Sequence, residues 1–298
     1  MKTILLFGKN GQIGSALQTV LRTRGAVVAL DRTTCDLSDV DQLRSIIGSV
    51  KPDIIVNAAA YTAVDRAESD KDLCFRVNLL APAVMAEAAS RLNAVLVHYS
   101  TDYVFSGDKP SAYLEDDRPD PLNAYGRSKL DGDQAVLASG CRSIILRVGW
   151  VYSAAGQNFA NTILQLARKQ DRITVVADQF GAPTSARFIA DTTANLIDQI
   201  NSDKPQRFGV FHLAAAGRVS WYGYATELLR EARRLNFGLG AGPDDVVPIS
   251  STEYATVAPR PRNSVLDTGK IRRTFSLDMP EWQVGVRQLV QELSKELT

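Results

Sequence analysis

The sequence predicts an α/β fold, a doubly wound parallel sheet with helices on both faces and a smaller mixed α/β lobe appended to it. Three observations predict it. Short runs rich in Val, Ile and Leu alternate with longer segments of helical apolar spacing through the first half of the chain. The short runs lack apolar/polar alternation, as strands buried on both faces do. The βαβα order supplies a crossover between successive strands, which parallel pairing requires.

In the first half, residues 3–7 (TILLF), 26–30 (AVVAL), 54–57 (IIVN), 95–99 (VLVHY) and 143–148 (SIILRV) read as strands. Residues 12–24, 40–50, 72–92 and 121–139 carry helical spacing. In the second half, 158–168, 186–200, 221–235 and 280–297 read as helices, and 173–176 and 210–213 as strands. Residues 236–243 (NFGLGAGP) form a glycine-rich break, and 257–263 (VAPRPRN) a loop rich in proline and arginine. This divides the chain into a dinucleotide-binding domain over 1–150 and a mainly substrate-binding lobe over 151–298. Later segments are free to return to the sheet.

Composition narrows the partners. The chain has 298 residues, 45% hydrophobic and 22% charged, with 34 Lys and Arg against 33 Asp and Glu. Without a basic excess, neither nucleic acid nor an anionic membrane is expected as a partner. The three cysteines are widely spaced and only two histidines occur, with no CxxC or HxxxH pattern, so no metal site is expected. The apolar run at residues 4–7 is too short for a signal peptide, and no stretch approaches the roughly 20 apolar residues of a membrane span. Sparse, unpaired cysteines fit a reducing compartment, so the expected location is the cytoplasm.

Two constellations carry chemistry. The first strand runs into Gly8-Lys-Asn-Gly11-Gln-Ile-Gly14 and then a helix. Glycines there permit a tight turn and close approach of backbone to a pyrophosphate, and the helix N-terminus offers free N–H groups to the anion. Strand, turn and helix in that order are the context that marks a Rossmann-type site. Asp31 ends the second strand about where an acid meets the adenosine ribose hydroxyls. Arg32 follows it, either as a clamp for a 2′-phosphate or as a solvated charge, so NADH and NADPH both remain open. The small residues Ala58 to Ala60 after the third strand allow close approach of cofactor, or serve packing alone.

The second constellation is Tyr125 with Lys129, four residues apart and on one face of a helix. A phenol ordinarily titrates near pH ~10, and a nearby ammonium favours its ionised form, which makes it a usable proton donor to a developing alkoxide. Thr101, at the end of the fourth strand, offers a hydroxyl to the substrate carbonyl, or satisfies its own backbone. His98, inside an apolar strand, reads as a core histidine. A nucleotide diphosphate needs cations, and Arg260 in the Arg-Pro-Arg loop either meets it or is a solvated charge.

With these residues in place, the chain resembles the extended short-chain dehydrogenases and, within them, the dTDP-4-dehydrorhamnose reductases. The likeness spans nearly the whole length and rests on GKNGQIG (8–14), NAAAYTAVD (57–65), HYSTDYVF (98–105), PLNAYGRSK (121–129), RVGWVY (147–152), DQFGAPT (178–184) and RPRNSVL (260–266). The resemblance implies reduction by NADPH or NADH of the C4 ketone of dTDP-4-dehydro-6-deoxy-L-mannose, giving dTDP-L-rhamnose for cell-surface polysaccharide. It implies Thr101, Tyr125 and Lys129 as the catalytic trio. It places Gly11, Gln12, Ile13, Asp31, Asp36, Leu37, Ala60, Tyr61, Thr62 and Tyr99 along the cofactor, and Asp102 and Trp150 against the sugar. Trp150 also fits a core role in the seam between lobes. Some relatives are dimers bridged by metal through glutamates, one of them after the GAPT segment. This chain has Ser185-Ala-Arg187 there, which predicts a monomer or a metal-independent homodimer. Two other readings share these motifs: a different nucleotide-sugar reductase or epimerase, and a non-catalytic regulatory subunit on the same fold.

Overall fold

The computed structural model describes residues 2–200 and 207–295. In chain order, the elements of the first half are β1 (Lys2–Phe7), α1 (Gln12–Leu21), β2 (Gly25–Leu30), α2 (Val40–Val50), β3 (Ile54–Asn57), α3 (Val64–Ala67), α4 (Lys71–Phe75), α5 (Ala81–Leu92), β4 (Val95–Thr101), α6 (Ala124–Ala138) and β5 (Arg142–Val148). The second half holds β6 (Val151–Tyr152), α7 (Phe159–Lys169), β7 (Ile173–Val176), β8 (Phe180–Gly181), β9 (Thr184–Ser185), α8 (Ala186–Gln199), β10 (Gly209–His212), β11 (Val219–Ser220), α9 (Trp221–Arg234), β12 (Val246–Ile249), α10 (Gly269–Phe275) and α11 (Trp282–Lys295).

Six strands form one parallel sheet in the order β10-β5-β4-β3-β1-β2. Alternate residues of each strand serve opposite faces. On one face Ile4, Leu6, Val56, Val97 and Leu146 pack with Leu17 and Leu21 of α1, Ile189 and Ile197 of α8, and Ile271 of α10. On the other, Leu5, Phe7, Ile55, Leu96 and Ile145 pack with α2, α5 and Val136 of α6. The order reverses between β1 and β3, and such switch points open a crevice at the carboxyl ends of strands.

The second lobe has its own core, in which Ile163, Leu164, Ile173, Val175, Tyr224, Leu228, Leu229, Trp282, Val286 and Leu289 interlock. Three segments from beyond residue 150 return to the sheet: β10 as its edge strand, and α8 and α10 on one face.

All the expected strands form, with ends shifted by up to two residues. The fourth extends two residues further and so includes Thr101. The expected helix over 12–24 stops at Leu21, and the one over 121–139 begins at Ala124, because Asn123 caps it by accepting from Gly126 N. The helix expected over 72–92 is continuous but passes through a π-helical turn at Arg76–Leu80. Periodicity did not reveal that turn, nor α3, α10 or β12. The last helix is described to Lys295; positions 296 and 297 of its expected span lie outside the described residues.

The helical run Lys71–Leu92 is long and apolar enough to cross a membrane by length and composition only, as a core helix also can be. Its apolar face is occupied, however: Ala81, Val84, Met85 and Ala89 are buried against the sheet.

The π-helical turn is clamped to α6. A Cβ on Gly132 would sit 2.1 Å from the Asn78 carbonyl oxygen, so α6 lies on that turn with no room for a methyl group. Gly132→Ala is expected to destabilise the protein by about 1–3 kcal/mol, the usual cost of overpacking. Urea unfolding checks this; an unchanged midpoint would show that the helix can move away freely.

Candidate active site

The turn after β1 is built on contacts that exclude side chains. Gly8 adopts φ +81°, and a Cβ there would lie 2.7 Å from Ala59 N and 2.8 Å from the Ala58 carbonyl carbon. Gly14 serves the turn itself, since a Cβ on it would meet the Gly8 carbonyl oxygen at 1.9 Å, and it does not line the cleft. Gly11 caps α1 without a side-chain partner for the first-turn N–H groups. Those donors, with Gly11, Gln12 and Ile13 on the cleft wall, are what an anionic group would meet. The Gln12 side chain is engaged elsewhere: its Oε1 accepts from Ser153 Oγ and Asn158 Nδ2, both at 3.0 Å, which ties the turn to the second lobe.

Asp31 lines the cleft, but its carboxylate is not an open acceptor. Oδ1 accepts from Thr33 N (3.1 Å), Thr33 Oγ1 (2.6 Å), Thr34 N (3.1 Å) and Thr34 Oγ1 (3.1 Å). Oδ2 takes Asn10 Nδ2 at 3.1 Å and Lys9 Nζ at 3.2 Å. The hydrogen bond from Thr33, then that from Lys9, hold its pKa far below the usual carboxylate range. Asp31 thus stands in the cleft as expected, and its carboxylate also organises a turn and a cation. Lys9 was missed in the sequence, although it lies inside the glycine pattern. Arg32 is exposed and pairs with Asp36 at 3.4 Å. Asp36 in turn accepts from Ser38 N and Oγ, with Leu37 buried between them.

Ala60, Tyr61 and Thr62 follow β3 along the cleft. Asn78, in the π-helical turn, fixes this stretch by accepting from Tyr61 N (2.9 Å) and donating to Tyr61 O (3.0 Å). The Tyr61 hydroxyl donates to Asp70 at 3.1 Å.

The trio comes together at the end of β4. A Cβ on Gly126 would lie 2.2 Å from Tyr103 O, so the first turn of α6 presses onto the chain leaving β4. That places the Tyr125 ring edge-on to Tyr103, 5.9 Å between centroids, on the same cleft as Thr101. Lys129 is fully enclosed; its Nζ donates to Tyr99 O at 2.6 Å and lies 3.2 Å from His98 Nε2. Tyr99 itself is anchored through its hydroxyl to Thr193 Oγ1 at 2.7 Å.

One electrostatic expectation is corrected here. In the cofactor-free protein, burial pushes the Tyr125 phenol up, and the Thr101 hydroxyl, not the ammonium, is the main influence opposing it. Burial lowers Lys129 to about 8 against the pull of Asp133.

Asp102, next to Thr101, and Trp150 line the same cleft as the trio. Asp102 is buried; Oδ1 accepts from Thr101 Oγ1 at 3.0 Å, Oδ2 has no hydrogen-bond partner, and burial raises its pKa to about 6. Gly149 leaves room for it, since a Cβ there would come within 2.5 Å of Asp102 Oδ2. Trp150 holds φ +48° and stacks on Trp221, with centroids 3.4 Å apart and planes 4° from parallel. Trp221, missed in the sequence, opens α9 and lines the same cleft. Arg260 is the predicted substrate-binding residue that does not line the cleft: its guanidinium donates to Asp65 Oδ2 at 2.8 Å and to Ala258 O.

The remaining predicted residues, Gly14 apart, share one cleft of about 1650 Å³ between the two lobes. Arg187 lies at its rim, paired with Asp191 at 2.9 Å. Among the described residues, no group of three or more His, Cys, Asp or Glu is placed to hold a metal ion.

A glycine turn at the switch point of a parallel sheet, with Thr101, Tyr125 and Lys129 gathered beyond the strand ends, defines a short-chain dehydrogenase of the extended type. The chain belongs to the family described as the RmlD substrate binding domain, which matches residues 1–295. It is 42% identical over 294 residues to the dTDP-4-dehydrorhamnose reductase of Shigella flexneri, covering 97% of each chain. It is 34% identical to the spore coat polysaccharide biosynthesis protein SpsK of Bacillus subtilis, over 99% of both. Among solved structures, a dTDP-4-dehydrorhamnose reductase from Bacillus anthracis, in complex with NADP, superposes with a TM-score of 0.89 at 32% identity, covering 98% of this chain and 99% of that one.

The buried Asp102 predicts a pH effect. Its folded pKa lies above its ordinary value, so its contribution favours the folded state at low pH and is lost as pH rises from about 4 through about 6. Asp102→Asn removes that dependence. Relative to the native chain, the variant should gain about 2–3 kcal/mol between pH 4 and pH 8. Denaturant unfolding at both values measures it, and a pH-independent difference would refute it.

Proposed function

We propose that this protein uses NADPH or NADH to reduce the C4 ketone of dTDP-4-dehydro-6-deoxy-L-mannose to dTDP-L-rhamnose, a precursor of cell-surface polysaccharide, in the cytoplasm. The observation that carries the reading is the meeting of Thr101, Tyr125 and Lys129 on one wall of a cleft whose other end is the glycine turn. The names of the relatives supply the substrate.

The cleft suits a dinucleotide. Gly8 and Ala58 to Ala60 leave its floor free of bulk, the uncapped start of α1 offers N–H donors, and Arg32 supplies a cation for a 2′-phosphate, with Lys9 held behind it on Asp31. Bound nicotinamide supplies the hydride. Tyr125 gives its phenolic proton to the oxygen that becomes the C4 hydroxyl, and Thr101 donates a hydrogen bond to that oxygen as charge develops on it. Lys129, four residues along the same helix face, would donate to the cofactor ribose. Asp102 and the Trp150 face orient the sugar, the indole packing against its C–H groups. Arg187 cannot ligate a cation, which favours a monomer or a dimer that chelator does not dissociate.

Loss of NADPH absorbance with the 4-keto sugar nucleotide tests the activity, and its absence would refute it. Tyr125→Phe keeps the ring and its packing, so the fold should persist while turnover falls by about 10²–10⁴, the worth of a positioned general acid. Normal turnover in that variant would remove Tyr125 as proton donor. Thr101→Val should cost roughly 10²-fold.

Asp31 is already committed to Lys9, Asn10, Thr33 and Thr34, so Arg32 is the freer group for cofactor choice. Arg32→Ala should weaken NADPH about tenfold and NADH little. Equal weakening of both would exclude it as the phosphate clamp.

A further inference from the structure

The polar groups behind the cleft wall form a chain whose donors and acceptors can be assigned one after another. Ala59 N is a backbone donor, and it points at Asn57 Oδ1 at 3.2 Å. That fixes the Asn57 amide, whose Nδ2 then donates to His98 Nδ1 at 3.1 Å. A neutral imidazole accepting at Nδ1 carries its proton on Nε2. His98 is fully buried, and burial lowers its pKa well below the ordinary value, so it is neutral. Its Nε2–H faces Lys129 Nζ at 3.2 Å, and Nζ donates onward to Tyr99 O at 2.6 Å. Every link is satisfied when Lys129 is an uncharged amine accepting from His98. An ammonium there sets two donors against each other.

One carboxylate pulls the other way, but it is shared. Asp133 lies one helical turn beyond Lys129. Its Oδ2 is taken by Ser100 Oγ at 2.8 Å and Arg147 Nε at 3.3 Å, while its Oδ1, 3.9 Å from His98 Nε2, has no hydrogen-bond partner. At 3.9 Å this is an ion-pair distance and not a hydrogen bond. One buried carboxylate thus faces two buried cations, Lys129 and Arg147, and it is already paired with the arginine. The Cys74 thiol, hydrogen-bonded to Ser128, and the phenols of Tyr99 and Tyr125 complete the titratable groups around the lysine; burial pushes all three up, so they are neutral.

We propose that His98 is a positioning residue for Lys129: fixed as the Nε2–H tautomer by Asn57, it turns a donor on the lysine nitrogen and favours the uncharged amine. The consequence for catalysis rests on the function proposed above. After Tyr125 gives its proton to the substrate oxygen, the phenolate takes a proton from Lys129, and the resulting amine is the form His98 receives. His98 thereby makes the lysine a readier proton source for the phenol.

The test uses the full-length, cofactor-free protein, so its outcome is independent of the substrate assay. The chain has only two histidines, His98 and His212, which makes ¹⁵N imidazole spectra assignable. At pH 9 the His98 signals should show a protonated Nε2 and a bare Nδ1; the opposite tautomer overturns the proposal, and no substitution is needed to see it. The ¹³Cε signal of Lys129, assigned by its loss in Lys129→Met, should titrate near 8. In His98→Gln the terminal amide can turn its oxygen to the ammonium. Titration of Lys129 should then rise by about one to two pH units, the worth of one hydrogen bond to a charge. A folded His98→Gln protein with unchanged Lys129 titration overturns the proposal.

Discussion

The site depends on one close approach: the backbone of Gly8 lies against the backbone of Ala58 and Ala59, closer than any side chain would allow. It arises because β1 and β3 are neighbours in the sheet and both chains leave it at the same edge. The contact sets the floor of the cleft and fixes where α1 begins. Gly14 follows from the same constraint, because α1 can start there only if its first turn folds back onto the Gly8 carbonyl. The asparagine ending β3 then serves two neighbours at once, Ala59 through its oxygen and His98 through its nitrogen. Turn geometry and the polarity of the groups behind the catalytic lysine are thus linked through a single side chain.

A second dependence runs through α6. Tyr125, Lys129 and Asp133 are spaced at four-residue intervals and share one face of the helix. Gly126 and Gly132, on its packed side, let that helix approach the end of β4 and the π-helical turn without bulk between them. The face with the chemistry can therefore lie flat on the strand ends. Glycine is a poor helix former, and two of them in one helix cost stability. Their use here reflects the distance the helix must reach.

Much of this was legible in the sequence. The sheet strands came from buried Val, Ile and Leu runs, and the Tyr–Lys pair from i, i+4 spacing, because both are local patterns. What was not legible was tertiary. The donors around Asp31 are spread over Lys9, Asn10, Thr33 and Thr34, and only the turn after β2 brings them together. Nothing in the Arg-Pro-Arg loop announces that Asp65, nearly two hundred residues earlier, takes Arg260. Trp221 reads as the start of an amphipathic helix, and its role in the cleft depends on Trp150 turning under it. The short strands β6, β8, β9 and β11 have two residues each, too few to show any period.

The tryptophan pair shows how the two lobes share one site. Trp150 lies two residues past the end of β5 of the sheet, whereas Trp221 begins a helix of the second lobe. Trp150 reaches its partner only by adopting φ +48°, a backbone state that costs a bulky residue energy. It also needs Gly181, where a Cβ would come within 2.3 Å of the indole. The stack itself buries two large aromatic faces, and contacts of that kind contribute about 0.5–1.5 kcal/mol beyond area burial. Strain at residue 150, a glycine at 181 and an aromatic at 221 form a mutually dependent set, held where the sheet hands over to the second lobe. Just beyond Trp150 in the chain, Gln12 makes a second tie through Ser153 and Asn158. Trp150, Trp221, Gln12 and Ser153 all line the cleft, so the ties between the lobes are made by the side chains that shape it.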